Sequence, residues 1–335
     1  MLKTLKETEV SGKRVLLRAD LDVPIENGEV GEDYRLRALL PTLNYLLENK
    51  AEIIILGHLG RPDGKENPDL SLKPIAARLS ELSGVGIDLL PQLPSNPSGL
   101  IPKLLMLENL RFWPGEEEND PAFAKQLAGL GDLYVNDSFA ASHRAHASIA
   151  GVPHHLPAFA GLRLAEEIKE LGGVLGDPER PLVFILGGAK TETKAPLVSN
   201  FAEVADSILL GGLLMFDQSL RKISRTVFPV DAVETFDIGP ETEKKFTEII
   251  KNAKTVVWNG PMGKWEDDKY AAGTRAVAKS LAEHPGKTIV GGGDTIAALS
   301  AFGLLEKMKY VSMGGGAMLE FLAGKELPGL VALGY

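Results

Sequence analysis

The chain has 335 residues, 44% of them hydrophobic, no cysteine and a formal net charge of −9. That length suits two α/β domains better than one core, and the acidic balance, with no run of Lys and Arg, argues against a nucleic-acid partner. The lack of cysteine excludes disulfides and thiolate zinc sites. Met1–Val10 lacks the apolar core of a signal peptide, and no segment has the uninterrupted apolar length of a membrane span, so the chain reads as cytoplasmic.

In chain order, short apolar runs suited to strands covered on both faces alternate with helical patterns. Val15–Ala19 leads into Asp20 and Asp22. Leu36, Leu39, Leu40, Leu43, Leu46 and Leu47 then form a stripe at helical spacing, which Pro41 should bend or interrupt. Ile53–Leu56 ends in His58 and Arg61, and Ser71 with Pro74 marks the next helix start. The Pro-rich stretch Pro91–Pro102 predicts a surface loop. Leu104–Leu107 precedes Asn109 and Arg111; Asp120 with Pro121 opens another helix; Leu133–Val135 precedes Asp137, His143 and Arg144.

Between Gly151 and Arg180, breaks at Gly151-Val152-Pro153, Leu156-Pro157 and Gly176-Asp177-Pro178 bracket a helical stretch over Arg163–Leu171. A helix flanked in this way predicts a linker between two domains. From Leu182 onward the strand ends change character. Gly187-Gly188-Ala189-Lys190, Gly211-Gly212, Asn259-Gly260-Pro261, Gly291-Gly292-Gly293-Asp294-Thr295 and Gly314-Gly315-Gly316 replace the arginines and histidines. The order predicts two doubly wound parallel sheets, with ligands outside the carboxyl ends of the strands.

Arg35, Arg61, Arg111 and Arg144, with His58 and His143, offer planar and imidazole donors suited to a small polyanion. Asp20 and Asp22 suit substrate hydroxyls, neighbouring arginines or a metal, and their spacing does not choose. The glycine clusters match neither a P-loop nor a dinucleotide signature. A glycine turn at a helix N-terminus still presents backbone N–H groups to phosphate. Asp294 and Thr295 could cap a helix beginning near Ile296, or Asp294 could meet Mg²⁺. Lys190 and Lys194 would share one face if a helix begins there.

The chain resembles the phosphoglycerate kinase family almost end to end. The resemblance rests on Arg14–Pro24, Tyr34–Thr42, His58–Pro62, Leu107–Phe112, Tyr134–Ser148, Leu186–Lys194, Val256–Gly263, Val290–Ala297 and Gly314–Leu327. It implies two α/β domains joined by a hinge helix across a cleft, and reversible phosphoryl transfer between 1,3-bisphosphoglycerate and ADP, giving 3-phosphoglycerate and MgATP. Residues 1–157 would bind phosphoglycerate, 158–178 would form the hinge and 179–326 would bind nucleotide, with 327–335 packing back on the first domain. By the same resemblance Asp20, Leu21, Asp22, Arg35, His58, Leu59, Gly60, Arg61, Arg111 and Arg144 would hold phosphoglycerate. Gly187, Lys194, Gly211, Gly212, Asn259, Pro261, Gly292, Gly293, Asp294 and Thr295 would hold the nucleotide, with Glu266 at the ribose and Mg²⁺ on Asp294. Arg35, Lys190, Lys194, Gly292 and Gly315 would stabilise the transferring group, in a monomer without membrane or nucleic-acid partners.

The sequence departs from the family pattern at several points. Only Leu213–Phe236 bridges Gly212 and Asp237, where the family carries a longer segment, and Leu213 replaces a third glycine. Asp22 stands for asparagine, Thr193 for an acidic residue, and Met313 and Met318 for hydroxyl residues. These departures motivate two alternatives: a weakened relative that binds without efficient turnover, and a kinase using another phosphate donor.

Overall fold

The computed structural model describes residues 2–94 and 104–335, so most of the loop expected over Pro91–Pro102 lies outside the described residues. The chain forms two compact units, Met1–Ile168 with Glu326–Tyr335, and Lys169–Lys325. Each is built on a six-stranded parallel sheet.

In the first unit the strands lie in the order Asp88–Leu90, Leu104–Leu107, Glu52–Leu56, Arg14–Arg18, Leu133–Asn136 and Ala158–Ala160. The chain builds outward from Arg14–Arg18 in one direction and then returns to its other side. The winding therefore reverses between Arg14–Arg18 and Leu133–Asn136, which pair in parallel with Val15 opposite Leu133. Leu104–Leu107 and Leu133–Asn136 are buried at every position, as strands covered on both faces require.

The helix Tyr34–Glu48 runs uninterrupted through Pro41. Leu36, Leu39, Leu43 and Leu46 are buried on one side of it, so apolar burial over several turns outweighs the single backbone donor that proline removes. Helix Lys73–Ser83 begins just after Ser71, whose hydroxyl accepts the Lys73 amide at 3.2 Å. Helix Pro121–Ala128 is capped by Asp120, which accepts the Phe123 amide at 2.7 Å. The helical stretch after Gly161 extends beyond Leu171 and occupies Leu162–Gly176, and the boundary between units falls inside it. Its first turn is held by Thr42 Oγ1, which accepts the Leu162 amide, and by the buried Asp137 carboxylate, which accepts the Leu164 amide, both at 3.0 Å.

In the second unit the order is Thr226–Val227, Ser207–Leu210, Leu182–Leu186, Thr255–Asn259, Lys287–Gly291 and Tyr310–Ser312. The winding reverses between Leu182–Leu186 and Thr255–Asn259, which are paired in parallel and wholly buried. Phe184 stacks on Phe201 with ring centroids 4.7 Å apart, and Trp258 is fully buried. Such reversals leave a crevice at the carboxyl ends of the strands. Among the described residues no helix is long and apolar enough to cross a membrane.

Candidate active site

The strand Arg14–Arg18 delivers Asp20 and Asp22 just beyond its carboxyl end. Arg35, in the first turn of helix Tyr34–Glu48, donates Nη1 to both oxygens of the buried Asp20, at 2.9 and 2.8 Å. Asp22 is exposed and accepts the Gly60 amide at 3.0 Å. Gly60 has φ +61°, and its carbonyl accepts Arg111 Nη1 at 2.7 Å. Both aspartates are thus engaged by a guanidinium and an amide. No cluster of three metal-ligating side chains occurs among the described residues.

Asn109 is fully buried and acts as a brace. Its Nδ2 donates to the carbonyls of Leu59 and Leu70 at 2.7 and 2.9 Å, and its Oδ1 accepts the Arg111 amide at 3.1 Å. Asn109 and Asp137, two polar residues following strands, therefore serve the scaffold. Leu21 and Leu59 are core residues that fix the loops carrying Asp20 and Gly60. Arg144 is half-buried and Arg61 exposed.

A buried polar layer lies beneath these groups. Arg18 is completely buried; its Nε donates to Ser148 Oγ at 2.8 Å, its Nη1 to the Ala19 carbonyl, and its Nη2 meets His58 Nδ1 at 2.9 Å. The buried Glu116 accepts the Ser148 amide at 2.9 Å and the Ser148 hydroxyl, while Tyr134 Oη donates to the Ser148 carbonyl at 2.6 Å. Burial, and then the charges of Arg18 and Arg111, hold His58 well below the usual imidazole pKa. Burial, then Arg111, Arg18 and Arg144, lower His146 to about 3. Both rings are neutral near pH 7, in a positive field suited to an anion.

In the second unit the glycine clusters divide into two kinds. Gly187, Gly188, Gly211 and Gly212 donate their amides to backbone carbonyls of Asn259, Pro261, Leu186 and Met262, at 2.7 to 3.0 Å. A Cβ on Gly187 would lie 2.1 Å from the Pro261 oxygen, so these glycines permit three loops to pack backbone on backbone. Gly292 and Gly315 instead stand at helix N-termini, those of Gly293–Ala301 and Gly315–Leu322. A Cβ on Gly315 would lie 2.7 Å from Gly292 Cα, so the two N-termini meet. Their orphan amides and dipoles converge, as a phosphate chain requires.

Thr295 does not cap that first helix, which already begins at Gly293. Its buried hydroxyl accepts the Gly260 amide at 2.7 Å and ties in the Asn259–Pro261 turn. Asp294 is exposed in the first turn and accepts no hydrogen bond among the described residues. Lys190 and Lys194 differ in burial: Lys190 is exposed at the cap of the short helix Thr191–Lys194, whereas Lys194 is buried. Lys194 Nζ donates to the carbonyls of Gly187 and Asn259 at 2.6 and 3.4 Å. Burial lowers its pKa to about 8, against an opposing pull from Asp294. Glu266 and Gly293 are exposed.

The phosphoglycerate kinase family model matches residues 5–225 and 215–325. The chain belongs to the phosphoglycerate kinase family. A phosphoglycerate kinase of Moorella thermoacetica is 43% identical over 386 aligned positions, covering 98% of each chain. One of Pseudothermotoga lettingae is 40% identical, covering 98% of this chain and 97% of its own. Among solved structures, the phosphoglycerate kinase of Pyrococcus horikoshii superposes with TM-score 0.88 at 30% identity, covering 100% of this chain and 98% of its own. That of Coxiella burnetii gives 0.85 at 34% identity, covering 100% and 99%. The chain is a kinase, a phosphotransferase of glycolysis.

The departures from the family pattern can be placed in the structure. The Moorella alignment is longer than this chain, and the family match breaks and resumes within 215–225. This is where Leu213–Phe236 is shortened to the 3-10 turns Gly212–Phe216 and Gln218–Lys222, the edge strand Thr226–Val227 and part of a small hairpin. Leu213, Phe216, Val230 and Phe236 of this stretch are exposed. Met313 and Met318 are buried in the core, so these substitutions alter packing behind the last glycine cluster. Thr193 Oγ1 donates to the Lys190 carbonyl at 3.2 Å.

Sequence reasoning missed Arg18, Glu116, His146 and Ser148 as parts of the first site. Arg18 carried a signal, since a charge closing the apolar run Val15–Leu17 of a buried strand needs a partner inside. Glu116, in the exposed-looking Pro114–Glu117 stretch, carried none.

Proposed function

We propose that the chain catalyses reversible phosphoryl transfer between 1,3-bisphosphoglycerate and ADP, yielding 3-phosphoglycerate and MgATP. The observation that carries this reading is the pairing of two different anion sites in one chain. One is built from guanidinium groups around Asp20 and the other from two converging helix N-termini beside Lys194. Binding a single polyanion would need only one of them.

In this reading the unit around Arg14–Arg18 holds phosphoglycerate. Asp20 orients Arg35, Asp22 and Arg111 fix the Gly60 turn from both sides, and His58, Arg61 and Arg144 supply further donors. The other unit holds the nucleotide: amides at Gly292, Gly293 and Gly315 take the phosphates, Asn259 and Pro261 shape the turn, and Glu266 takes the ribose. Leu213 and Gly211–Gly212 line the base. Asp294 offers one unpaired carboxylate beside the phosphate site, which fits Mg²⁺, an ion held by one or two carboxylates together with phosphate oxygens. When bound, Mg²⁺ neutralises charge on the nucleotide phosphates.

The acceptor is a carboxylate, already ionised near neutrality, so no general base is needed. Catalysis reduces to positioning and charge stabilisation. Arg35 supplies one fixed donor to the transferring group. Lys194, cationic at pH 7, supplies a second, and the exposed Lys190 is free to supply a third. The helix Leu162–Gly176 is assigned as hinge, because transfer requires both sites to share one phosphoryl group away from water. The protein acts as a cytoplasmic monomer.

Calorimetric titration of each substrate tests the division of labour. Arg35→Ala should abolish 3-phosphoglycerate binding and leave MgATP binding intact, whereas Lys194→Met should weaken MgATP and spare 3-phosphoglycerate. Loss of both ligands in either variant would contradict separate sites.

A further inference from the structure

His58 is the one imidazole among the residues assigned to phosphoglycerate, and a histidine meeting a polyanion would ordinarily be expected to do so as a cation. The contacts around it point elsewhere. A guanidinium has donors and no acceptor, so the 2.9 Å approach of Arg18 Nη2 to His58 Nδ1 requires that nitrogen to be unprotonated. The proton of the neutral ring must then sit on Nε2, which has no hydrogen-bonding partner among the described residues.

Arg18 itself has no freedom to reach a ligand. It is 0% exposed, and its other nitrogens donate to Ser148 Oγ and the Ala19 carbonyl. Ser148 is pinned in turn: its hydroxyl accepts from Arg18 and donates to Glu116, its amide donates to Glu116, and its carbonyl accepts Tyr134 Oη. Donation in this chain runs outward from Arg18, through Ser148 to the Glu116 carboxylate on one side and to His58 Nδ1 on the other. We propose that Arg18 is a positioning residue that locks His58 as the neutral Nε2–H tautomer, so that the ring meets the anionic substrate as a fixed hydrogen-bond donor without ionising.

The guanidinium groups nearest the ring oppose its protonation, and His146 would do so only if it ionised. Arg18 from the first strand, Arg111 from the turn after Leu104–Leu107 and Arg35 from the helix Tyr34–Glu48 all act in the same direction as burial. The benefit is constancy: substrate affinity does not vary with an imidazole titration near neutral pH. The inference rests on the phosphoglycerate site proposed above, but the tautomer can be read without substrate.

The first test is long-range ¹H–¹⁵N correlation of the imidazole rings in the substrate-free protein, with His58 assigned through His58→Gln. The structure predicts an unprotonated Nδ1 and a protonated Nε2, unchanged from about pH 8 to about pH 5.5. A protonated Nδ1, or conversion to imidazolium near the ordinary histidine pKa, would overturn the proposal. The second test is the same ring correlation in Arg18→Met. Without the guanidinium, Nδ1 has no fixed donor, and His58 should populate the Nδ1–H form or exchange between both neutral tautomers, while burial, Arg111 and Arg35 still oppose its ionisation. A folded Arg18→Met protein whose His58 keeps the pure Nε2–H tautomer would also overturn it. If Arg18→Met does not fold, the tautomer reading of the parent protein decides. Absence of turnover by the parent would sink the proposed function and leave that reading intact.

Discussion

A single guanidinium nitrogen of Arg35 lies 2.9 and 2.8 Å from the two carboxylate oxygens of Asp20, at the mouth of the first sheet. Asp20 is 8% exposed in its side chain and Arg35 21%, so the pair is shielded enough to fix a direction and open enough to meet a ligand. Asp20→Asn should keep the shape and loosen the direction. KM for 3-phosphoglycerate should rise about ten-fold with KM for MgATP unchanged, and stability should drop by about 1–2 kcal/mol in urea melts. An equal rise in both KM values would remove Asp20 from a substrate-specific role.

Asp22 adds a negative charge beside an anion site, yet the structure gives its carboxylate a use in holding the Gly60 amide. Asparagine can accept that same bond through its side-chain oxygen. Asp22→Asn should therefore leave the melting temperature nearly unchanged and tighten 3-phosphoglycerate two- to five-fold, by about 0.4–1 kcal/mol. Weaker binding in a titration at low salt would show that the charge itself is needed.

Lys194 is held near carbonyls with its pKa lowered by burial to about 8, so its cation is lost as pH rises through that value. In the free enzyme kcat/KM for MgATP should fall above about pH 8, with the acidic side of the profile flat to about pH 7. Lys194→Met should lower kcat by about a hundred-fold or more and erase this limb. Retention of the limb in the variant would assign the ionisation elsewhere.

Acid stability should reflect the buried imidazoles. His146 has a pKa of about 3 in the fold against 6.5 unfolded, so below 6.5 the unfolded chain binds more protons. This contribution is fully present above 6.5 and is lost as pH falls toward 3, by at most about 1.4 kcal/mol per pH unit. His58 acts in the same direction. Asp137 and Asp237, raised by burial to about 6, act oppositely, retaining protons in the fold between 3.8 and about 6. Denaturant melts of His146→Gln should show a shallower loss of stability on acidification than the parent. An identical slope would contradict the burial of that ring.

Alternating apolar runs and strand-end residues made both sheets legible in the sequence, because buried parallel strands need continuous hydrophobic stretches and their ligands gather at one end. His58 and Arg111 follow such runs, whereas Arg35 opens the helix Tyr34–Glu48. The glycines were legible as special but not by role: nothing in their spacing separates Gly187, which admits the Pro261 carbonyl, from Gly292, which opens a helix N-terminus. The local cost of Pro41 is visible in sequence, whereas the burial of Leu36, Leu39, Leu43 and Leu46 that keeps the helix from being interrupted is tertiary. Glu116 and Ser148 were silent for the same reason, since only the fold brings residues 32 positions apart onto one hydrogen bond.

Even with its nucleotide unit shortened at Leu213–Phe236, this chain transfers phosphate between ATP and 3-phosphoglycerate. The most direct measurement is the reverse reaction, with 3-phosphoglycerate and MgATP coupled to consumption of the acyl phosphate, run beside Arg35→Ala. Sustained turnover by the parent, reduced by about a hundred-fold or more in the variant, is the predicted result. No turnover by a folded parent that still binds both substrates would contradict it.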